Sequence, residues 1–354
     1  MNQEEWDKYP TYGDDGKRKK RKKTILVLIL IILLAILFAL ITYFAGAWRL
    51  LQRIFPNSKM NLNQASNLVT PGKLKGEDSG DINIILLGMR GLGEKYPKLT
   101  NGIMVINYDI KSQSINTISL PRDFWISTDK YGNRKISYIC DTSEYDKRPE
   151  NCFDTAKYVA KNALGIDIDY DFIVDFRGFV QIIDQTGSRV NVNVGQHYNN
   201  WLILQDPSFS SAKDVTSPSI FHLDSDQSLT FVRWPENALP DFDRLYRDQL
   251  FADAFKNQFL SSSVVLNPVK VQAILQNASN NVRSDMQVWE AVRLAEVLKN
   301  VSSNKISNHS LTSTVGTNGG LLKETNFDGV TLSPQKGDYD YSEIKSWAGA
   351  IIAK

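Results

Sequence analysis

Three arginines lie close together in the stretch FVRWPENALPDFDRLYRDQ, which covers residues 231–249. Arg233 ends an apolar run, and Arg244 and Arg247 begin an amphipathic segment whose spacing of three puts both side chains on one face of a helix. Cations at the start of a helix oppose its macrodipole, and a bound anion would remove that conflict. One guanidinium group can bind two phosphate oxygens at once, so these residues could hold a phosphate-containing ligand.

The same arginines have a plainer interpretation as members of ordinary ion pairs on a structural helix. Asp241, Asp243 and Asp248 are near enough in sequence to pair with them, and the first two acids could also cap the helix. Arg189, from an upstream segment, is a weaker candidate for the same cluster. The residue types leave both interpretations open, and ion pairing is the more common role for arginines on a helix.

A second candidate site is the stretch SLPRDFW, in which Arg122 and Asp123 follow a predicted strand and Pro121 fixes the direction of the chain. The Gly-rich loop GMRGLG, which carries Arg90, follows another predicted strand. Its glycine order does not match a dinucleotide-binding motif, but ligands of open α/β sheets bind at such strand ends. The three histidines lack a metal-binding spacing, and the sequence contains no Walker loop and no G-x-S-x-G elbow.

The distribution of charge argues against a nucleic-acid partner. The net charge is +2, from 41 basic and 39 acidic residues. Residues 1–23 hold eight of the basic and five of the acidic residues, so the remaining chain carries 33 and 34. Without a broadly basic surface beyond the N-terminal tail, we expect no binding to nucleic acid.

An uncharged apolar segment at residues 24–48 predicts a transmembrane helix. A helix of this length reaches roughly 37 Å, enough to cross a hydrocarbon core of about 30 Å. Seven consecutive Lys/Arg at 17–23 precede it, whereas only Arg49 and Arg53 follow closely. The positive-inside rule therefore predicts a single-pass signal anchor in the cell membrane, with a cytoplasmic N-terminus and an extracytoplasmic main domain.

The chain has two cysteines, Cys140 and Cys152, twelve positions apart in a loop-like stretch. If this part of the chain lies in an oxidising compartment, they are expected to form a disulfide that closes the loop. A metal site is disfavoured because no further Cys or His is nearby.

Segments of strand and helix periodicity alternate along the chain, which predicts an α/β domain with a mixed central sheet between helices. DINIILLGM, GIMVINYDI, SINTISLP, DYDFIVDF and RVNVNV favour strands. FDTAKYVAKNALG, RGFVQIIDQTG and RLYRDQLFADAFKNQFLS favour helices. The predicted organisation is a basic cytoplasmic tail (1–23), a transmembrane helix (24–48), a stalk (49–80), a catalytic domain (81–262) and a C-terminal extension packed on it (263–354).

Six pieces of sequence, in order, resemble the LytR–CpsA–Psr family of membrane-anchored cell-envelope enzymes. They are NIILLG, ISLPRD, KISY with Lys135, DYDFIVDFRGF, LTFVR and DFDRLYRDQ. The resemblance covers roughly residues 80–262 and the anchored N-terminus. The patterns DYDFIVDFRGF and DFDRLYRDQ are the most specific of the six pieces.

The resemblance implies an α/β sandwich whose apolar channel holds a polyprenyl chain and whose arginines hold its pyrophosphate. The family transfers glycopolymers from a polyprenyl-pyrophosphate carrier to peptidoglycan or another wall acceptor. By position, the residues implied to be catalytic are Arg122, Asp123, Arg233, Arg244 and Arg247. Those implied to bind the lipid pyrophosphate are the same four arginines with Lys135 and Gln249, and Arg90 could add positive charge.

The sequence departs from the family pattern at the expected magnesium site. Family members usually carry one Asp just after the glycine of the first strand and another shortly before the second strand. Here no acid follows Gly88 until Glu94, and Asn101 occupies the second of these positions. Asn is a poorer ligand for Mg²⁺ than a carboxylate, so a magnesium cofactor is possible but doubtful. The arginine that usually follows Arg233 is also replaced, by Pro235.

Three functional interpretations remain open. The chain could be an active transferase with an altered metal site, in which arginines supply the positive charge. It could bind the polyprenyl-phosphate lipid without turning it over. It could instead be an envelope scaffold whose arginines form ordinary ion pairs.

Overall fold

The structure, a computed structural model, describes residues 48–49, 51–57, 72–128, 132–141, 150–187, 189–195, 202–204, 206–233, 242–261, 276–298, 301–312 and 320–352. The chain divides into two compact units, Met1–Arg49 and Leu50–Lys354, and the strands and helices of the central fold lie in the second. No helix in the ranges above has both the length and the apolar content needed to cross a membrane. The predicted tail, the predicted anchor up to residue 47, and part of the stalk lie outside those ranges.

Twelve strands are present in the described ranges. They are β1 Asp81–Met89, β2 Thr100–Asp109, β3 Ser114–Ser119, β4 Trp125–Thr128, β5 Gly132–Lys135, β6 Tyr170–Asp175, β7 Val190–Asn193, β8 Ile220–Leu223, β9 Val282–Ser284, β10 Ile306–Ser310, β11 Leu322–Thr325 and β12 Thr331–Pro334. Six of them form the central sheet in the order β10-β3-β2-β1-β6-β9, and the others form the two-stranded antiparallel sheets β4–β5, β7–β8 and β11–β12. The sheet is mixed, because β1 pairs antiparallel with β2 and parallel with β6.

Six α-helices are described over their whole length, and shorter helical pieces occur at 51–54, 202–204 and 276–278. The six are α1 Glu150–Leu164, α2 Phe176–Thr186, α3 Ser225–Arg233, α4 Phe242–Ser261, α5 Val288–Leu298 and α6 Ser342–Ile352. α2 begins where the Asp175 side chain accepts a hydrogen bond from the Gly178 N–H, and it ends at Gly187 in the left-handed region. The expected α/β fold with a mixed sheet and helices is confirmed.

The central strand β1 is apolar on both faces, which explains its continuous run of Ile and Leu. Ile85 and Leu87 pack into a core with the apolar faces of α1 and α6. Leu86 and Gly88 point to the opposite face of the sheet, where they line a cavity. A second core, formed by α2, α3, α4 and the β7–β8 hairpin, lies on that side.

The region beyond residue 262 contributes to the sheet itself. β9 pairs antiparallel with β6, and β10 pairs parallel with β3, so these two strands form its edges. Sequence periodicity gave no sign of β9, because a strand of three residues is too short to show alternation. The sequence NPVKVQAILQNASNNVRSDMQVWEAVRLAEVLKNV also favours two helices, of which the second is present as Val288–Leu298 and the first lies largely outside the described ranges.

A buried ion group joins α1 to the start of β6 and the end of β9. Lys157 Nζ lies 3.1 Å from Asp171 Oδ2 and 2.6 Å from Asp285 Oδ2. Asp285 Oδ1 also accepts a hydrogen bond from the Asp171 N–H. The Asp171 side chain is fully buried, and this desolvation raises its pKa from 3.8 to about 7, although Lys157 opposes the shift.

This shift predicts how stability depends on pH. Because the folded-state pKa is the higher one, the folded state binds the proton more tightly, and the resulting stabilisation is lost as pH rises from about 4 to about 7. We expect Asp171→Asn to flatten the fall of Tm across this interval, measured by thermal unfolding in matched buffers. Asp184→Asn, at an exposed acid, is the control. Parallel Tm profiles for Asp171→Asn and the unaltered protein would contradict the assignment.

The structure joins Cys140 and Cys152 by a disulfide between the short helical turn after β5 and the first residues of α1. Crosslinking a separation of twelve residues restricts the unfolded chain and stabilises the fold by about 3 kcal/mol.

Peptide mapping without reduction should therefore recover the two cysteines in one crosslinked species, and reduction should lower Tm. Free thiols in protein purified from an oxidising compartment would contradict the pairing.

Candidate functional site: an apolar cavity bordered by arginines

A cavity of about 350 Å³ lies between the central sheet and helices α2, α3 and α4. Its walls are mainly apolar side chains from both layers. They include Leu86, Ile103, Met104, Val174, Phe176, Phe179, Ile182, Ile183, Leu229, Val232, Phe251, Ala252 and Phe255. A cavity of this size and lining suits an apolar ligand.

Two facing glycines help to open the floor of this cavity. Gly88 on β1 and Gly102 on β2 are register partners, and both line the cavity. A Cβ added at Gly88 would lie 3.5 Å from the Gly102 backbone. Both positions therefore contribute only backbone to the cavity lining, where any other residue would add a side chain.

Two of the predicted arginines, Arg233 and Arg244, lie on the cavity wall. Arg233 ends α3, and its Nη2 lies 3.3 Å from Glu94 Oε2 on the β1–β2 loop. The same guanidinium lies over the ring of Phe176, 4.8 Å from its centroid. Arg244 Nη1 lies 2.6 Å from Asp248 Oδ2, one turn further along α4. The cavity therefore has cations at its border, each already engaged by a carboxylate.

The other two predicted residues of α4 are buried in contacts between elements. The Arg247 side chain is fully buried, and its Nε donates to the backbone oxygen of Phe231 at 2.8 Å. Gln249 Nε2 donates to the His309 backbone oxygen at 2.8 Å and to Ser310 Oγ at 3.1 Å. Arg247 thus ties α4 to α3, and Gln249 ties α4 to the edge strand β10.

Arg122, Asp123 and Lys135 form an ion group beside the sheet. Lys135 Nζ lies 3.0 Å from Asp123 Oδ1, and Arg122 Nε lies 3.7 Å from Asp123 Oδ2. Ser119, which ends β3 three residues before Arg122, lines the cavity. The group therefore follows directly from a cavity-lining strand, although its own members are not among the lining residues.

The β1–β2 loop carries Arg90, whose Nη1 donates to the Lys95 backbone oxygen at 3.1 Å. Backbone hydrogen bonds from Arg90 to Leu99 and from Gly91 to Pro97 hold the loop in a defined shape. Arg189, in contrast, donates to the His222 backbone oxygen on the β7–β8 hairpin and does not line the cavity. Asp241 and the Asp243 side chain lie outside what the structure describes.

Sequence reasoning did not single out Asp175 and Glu94. Asp175 ends β6, lines the cavity and caps α2, and desolvation raises its pKa although backbone hydrogen bonds from Gly178 and Arg177 oppose the rise. Its position at the carboxyl end of a strand parallel to β1 is a signal that could have indicated it. Glu94 gave no comparable signal, because its contact with Arg233 joins residues far apart in sequence.

The residues around Asn101 do not form a fitting magnesium site. Asn101 lies in β2, lines the cavity, and its Oδ1 is buried and has no hydrogen-bond partner within the described ranges. The cavity-lining carboxylates are already used: Asp175 caps α2 and Asp248 pairs with Arg244. The described residues also contain no group of three or more His, Cys, Asp or Glu that could hold a metal. A hard cation needs more oxygen ligands than this set provides.

The fold and cavity together define a mixed α/β protein with an apolar pocket bordered by cations. The chain belongs to the LytR_cpsA_psr family, which it matches over residues 52–336.

Two curated relatives show the range of similarity. The cell wall biosynthesis protein LcpA of Corynebacterium glutamicum is 27% identical over 241 residues, covering 62% of this chain and 44% of LcpA. The polyisoprenyl-teichoic acid–peptidoglycan teichoic acid transferase TagV of Bacillus subtilis is 24% identical over 235 residues, covering 65% of this chain and 56% of TagV. The chain therefore spans about half the length of the curated relatives it matches.

Solved structures share the fold at lower identity. TagT, in a structure described as bound to LI-WTA, aligns with a TM-score of 0.57 and 15% identity, covering 78% of this chain and 92% of TagT. The crystal structure of B. subtilis TagV aligns with a TM-score of 0.54 and 20% identity, covering 77% and 97%. At these identities the comparison establishes the α/β architecture.

The buried position of Arg247 predicts a role in stability. Arg247→Ala removes a donor to the Phe231 carbonyl and leaves an internal gap, so unfolding should become easier by about 2 kcal/mol or more. Thermal unfolding should show a clearly lower Tm. Arg233→Ala, at the more exposed arginine, should change Tm much less. Equal Tm values for the two variants would contradict the assigned tie between α3 and α4.

Proposed function

We propose that this chain is an extracytoplasmic phosphotransferase that moves a glycopolymer from a polyprenyl-pyrophosphate carrier to a cell-wall acceptor such as peptidoglycan. The observation that carries the proposal is an apolar cavity with Arg233 and Arg244 on its wall. A polyprenyl pyrophosphate has the same two parts, an apolar chain and an anionic head. The functions for which two relatives are named, cell wall biosynthesis for LcpA and teichoic acid transfer for TagV, support the same reaction class.

In the proposed reaction, the oxygen of an acceptor sugar hydroxyl attacks the phosphorus that carries the glycopolymer. The bond from that phosphorus to the bridging oxygen breaks, and polyprenyl phosphate leaves with the acceptor's proton. Phosphoryl transfer of this kind depends on positioning and on neutralising charge, which Arg233 and Arg244 would supply. No step is assigned to magnesium, because the residues around Asn101 do not fit that ion.

The remaining predicted residues take supporting roles in this proposal. Both carboxylate oxygens of Asp123 face cations, Lys135 on one side and Arg122 on the other. Asp123 therefore positions these two cations for the phosphate groups. Arg247 and Gln249 act as positioning residues, since their contacts hold α4 against α3 and β10.

The proposed location follows from the predicted anchor at 24–48. With the basic tail in the cytoplasm, the cavity would lie on the outer side of the membrane. Membrane insertion is thus part of the proposal.

A second candidate function is binding of the polyprenyl-phosphate lipid without transfer. Asn101 favours it, because a neutral amide lies in the cavity wall at a position where relatives are expected to carry an acid. The cavity and arginines would serve both functions equally.

The transfer proposal predicts that the full chain, in detergent, releases polyprenyl phosphate from a polyprenyl-pyrophosphate-linked disaccharide when a soluble peptidoglycan fragment is present. Ala252→Trp should abolish lipid binding and release, because its ring would fill the cavity. Val215→Trp adds the same ring at an exposed site and should leave both unchanged. Normal release by Ala252→Trp would exclude the cavity as the lipid site.

Asn101→Asp separates the two candidate functions in the same assay. Tight lipid binding without release, together with release gained by Asn101→Asp in the presence of Mg²⁺, would favour the lipid-binding function for the unaltered chain. Release by the unaltered chain with or without added Mg²⁺ would establish a transferase that does not need the missing acid.

A further inference from the structure

Three aromatic side chains pack in a row, and two of them, Phe327 and Tyr339, are exposed on a surface that the proposed function does not use. The rings of Trp125 and Phe327 are 5.1 Å apart between centroids, and those of Phe327 and Tyr339 are 6.2 Å apart and nearly parallel at 17°. Phe327 and Tyr339 are 43% and 50% exposed, whereas Trp125 is buried at 8% and supports the Phe327 ring from below the surface. We call Trp125, Phe327 and Tyr339 the aromatic strip.

The aromatic strip is built by three separate parts of the fold. Trp125 begins β4, Phe327 lies in the turn between β11 and β12, and Tyr339 precedes α6. An isolated bridge between Phe124 and Leu332 fixes β12 beside the start of β4. This backbone pairing holds Trp125 close to the β11–β12 turn that carries Phe327, and Tyr339 adds its ring from the segment before α6.

The strip is continuous with the ion group of Arg122, Asp123 and Lys135. Trp125 and Lys135 are directly opposite partners in the β4–β5 hairpin, so their side chains share one face. On the next step of the same ladder, Asn133 Nδ2 donates to the Tyr339 hydroxyl at 3.4 Å. Lys135 and Asn133 thus flank the rings, and Lys135 also contacts Asp123.

Polar groups of balanced charge surround the exposed rings. Asp338, the neighbour of Tyr339, pairs with Lys323 at a distance of 2.9 Å. The turn around Phe327 exposes Asn326 and Asp328. Hydroxyl, amide and carboxylate groups beside flat apolar faces suit a ligand that is itself part apolar and part hydroxylated.

We propose that the aromatic strip binds the sugar rings of a glycan chain. The C–H faces of a pyranose pack on aromatic faces, while its hydroxyls bind groups such as the Tyr339 hydroxyl and the Asn133 amide. The cavity cannot provide this site, because its lining is mainly apolar. The strip would also present the bound glycan to the ion group of Arg122, Asp123 and Lys135. This second role rests on the proposed function, whereas the binding of sugar does not.

The test measures saccharide binding to the full chain in detergent, with a tetrasaccharide of N-acetylglucosamine and with muramidase-released peptidoglycan fragments as probes. Titration by calorimetry should detect binding of at least one probe. Phe327→Ala and Tyr339→Ala should each weaken it about fivefold to tenfold, with unchanged Tm. Leu204→Ala, at another exposed apolar residue in the second core's region, is the matched control and should bind normally.

Tyr339→Phe separates the ring from its hydroxyl: it should retain stacking and lose part of the affinity. Absence of binding by the unaltered chain, or normal binding by both alanine variants, would overturn the inference. A change of oligomeric state in Phe327→Ala with saccharide binding unaffected would do the same, and would indicate a protein contact instead.

Release of polyprenyl phosphate, measured on the same variants, distinguishes this inference from the proposed function. If the unaltered chain binds saccharide through the strip but releases no polyprenyl phosphate, the transferase proposal fails and the sugar site stands. If release is normal and the strip binds no saccharide, the sugar site fails alone. If both stand, Phe327→Ala should raise KM for the acceptor and leave the affinity for the lipid unchanged.

Discussion

The central strand β1 must be apolar on both faces, and the rest of the structure depends on that constraint. One face packs against α1 and α6 in a filled core, whereas the other faces a cavity beneath α2, α3 and α4. A sheet that was polar on the second face would hydrate the cavity and leave no place for an apolar ligand. The same sheet positions Ser119, Asp175 and Gly88 at one end, where the cations gather.

Guanidinium groups beside an apolar cavity lose water contacts, so they need carboxylate or carbonyl oxygens as hydrogen-bond acceptors. The protein supplies these acceptors from different elements. Glu94 comes from a loop, Asp248 from the same helix as Arg244, and the Phe231 carbonyl from the end of α3. Removing one partner of a buried ion pair destabilises the folded state more than removing one partner of a surface ion pair. Arg247 therefore holds α4 against α3, and Arg233 holds the end of α3 to the β1–β2 loop.

Much of the architecture could be predicted from sequence, for physical reasons that differ between elements. β1, α2 and α4 have clear periodicity and end signals, such as Gly187 after α2. The edge strands β9 and β10 are set by long-range pairing, which local periodicity does not encode. For the site, spacing correctly indicated that Arg244 would lie on a helix, but it could not show that Arg247 points into a helix–helix contact. The contact between Glu94 and Arg233 joins residues 139 apart, beyond the reach of local patterns.

The pairing of Arg233 with Glu94 has a consequence for selectivity. An anion that engages Nη2 of this arginine would compete with the Glu94 carboxylate, so its net gain there would be the difference between two ion pairs. A singly charged group offers little advantage over Glu94, whereas a group with several negative oxygens can form the same contact and others besides. Under the proposed function, this pairing would favour ligands of high negative charge density over singly charged ones. Because Glu94 lies on the loop between β1 and β2, displacing its carboxylate from Arg233 would also release one attachment of that loop to α3.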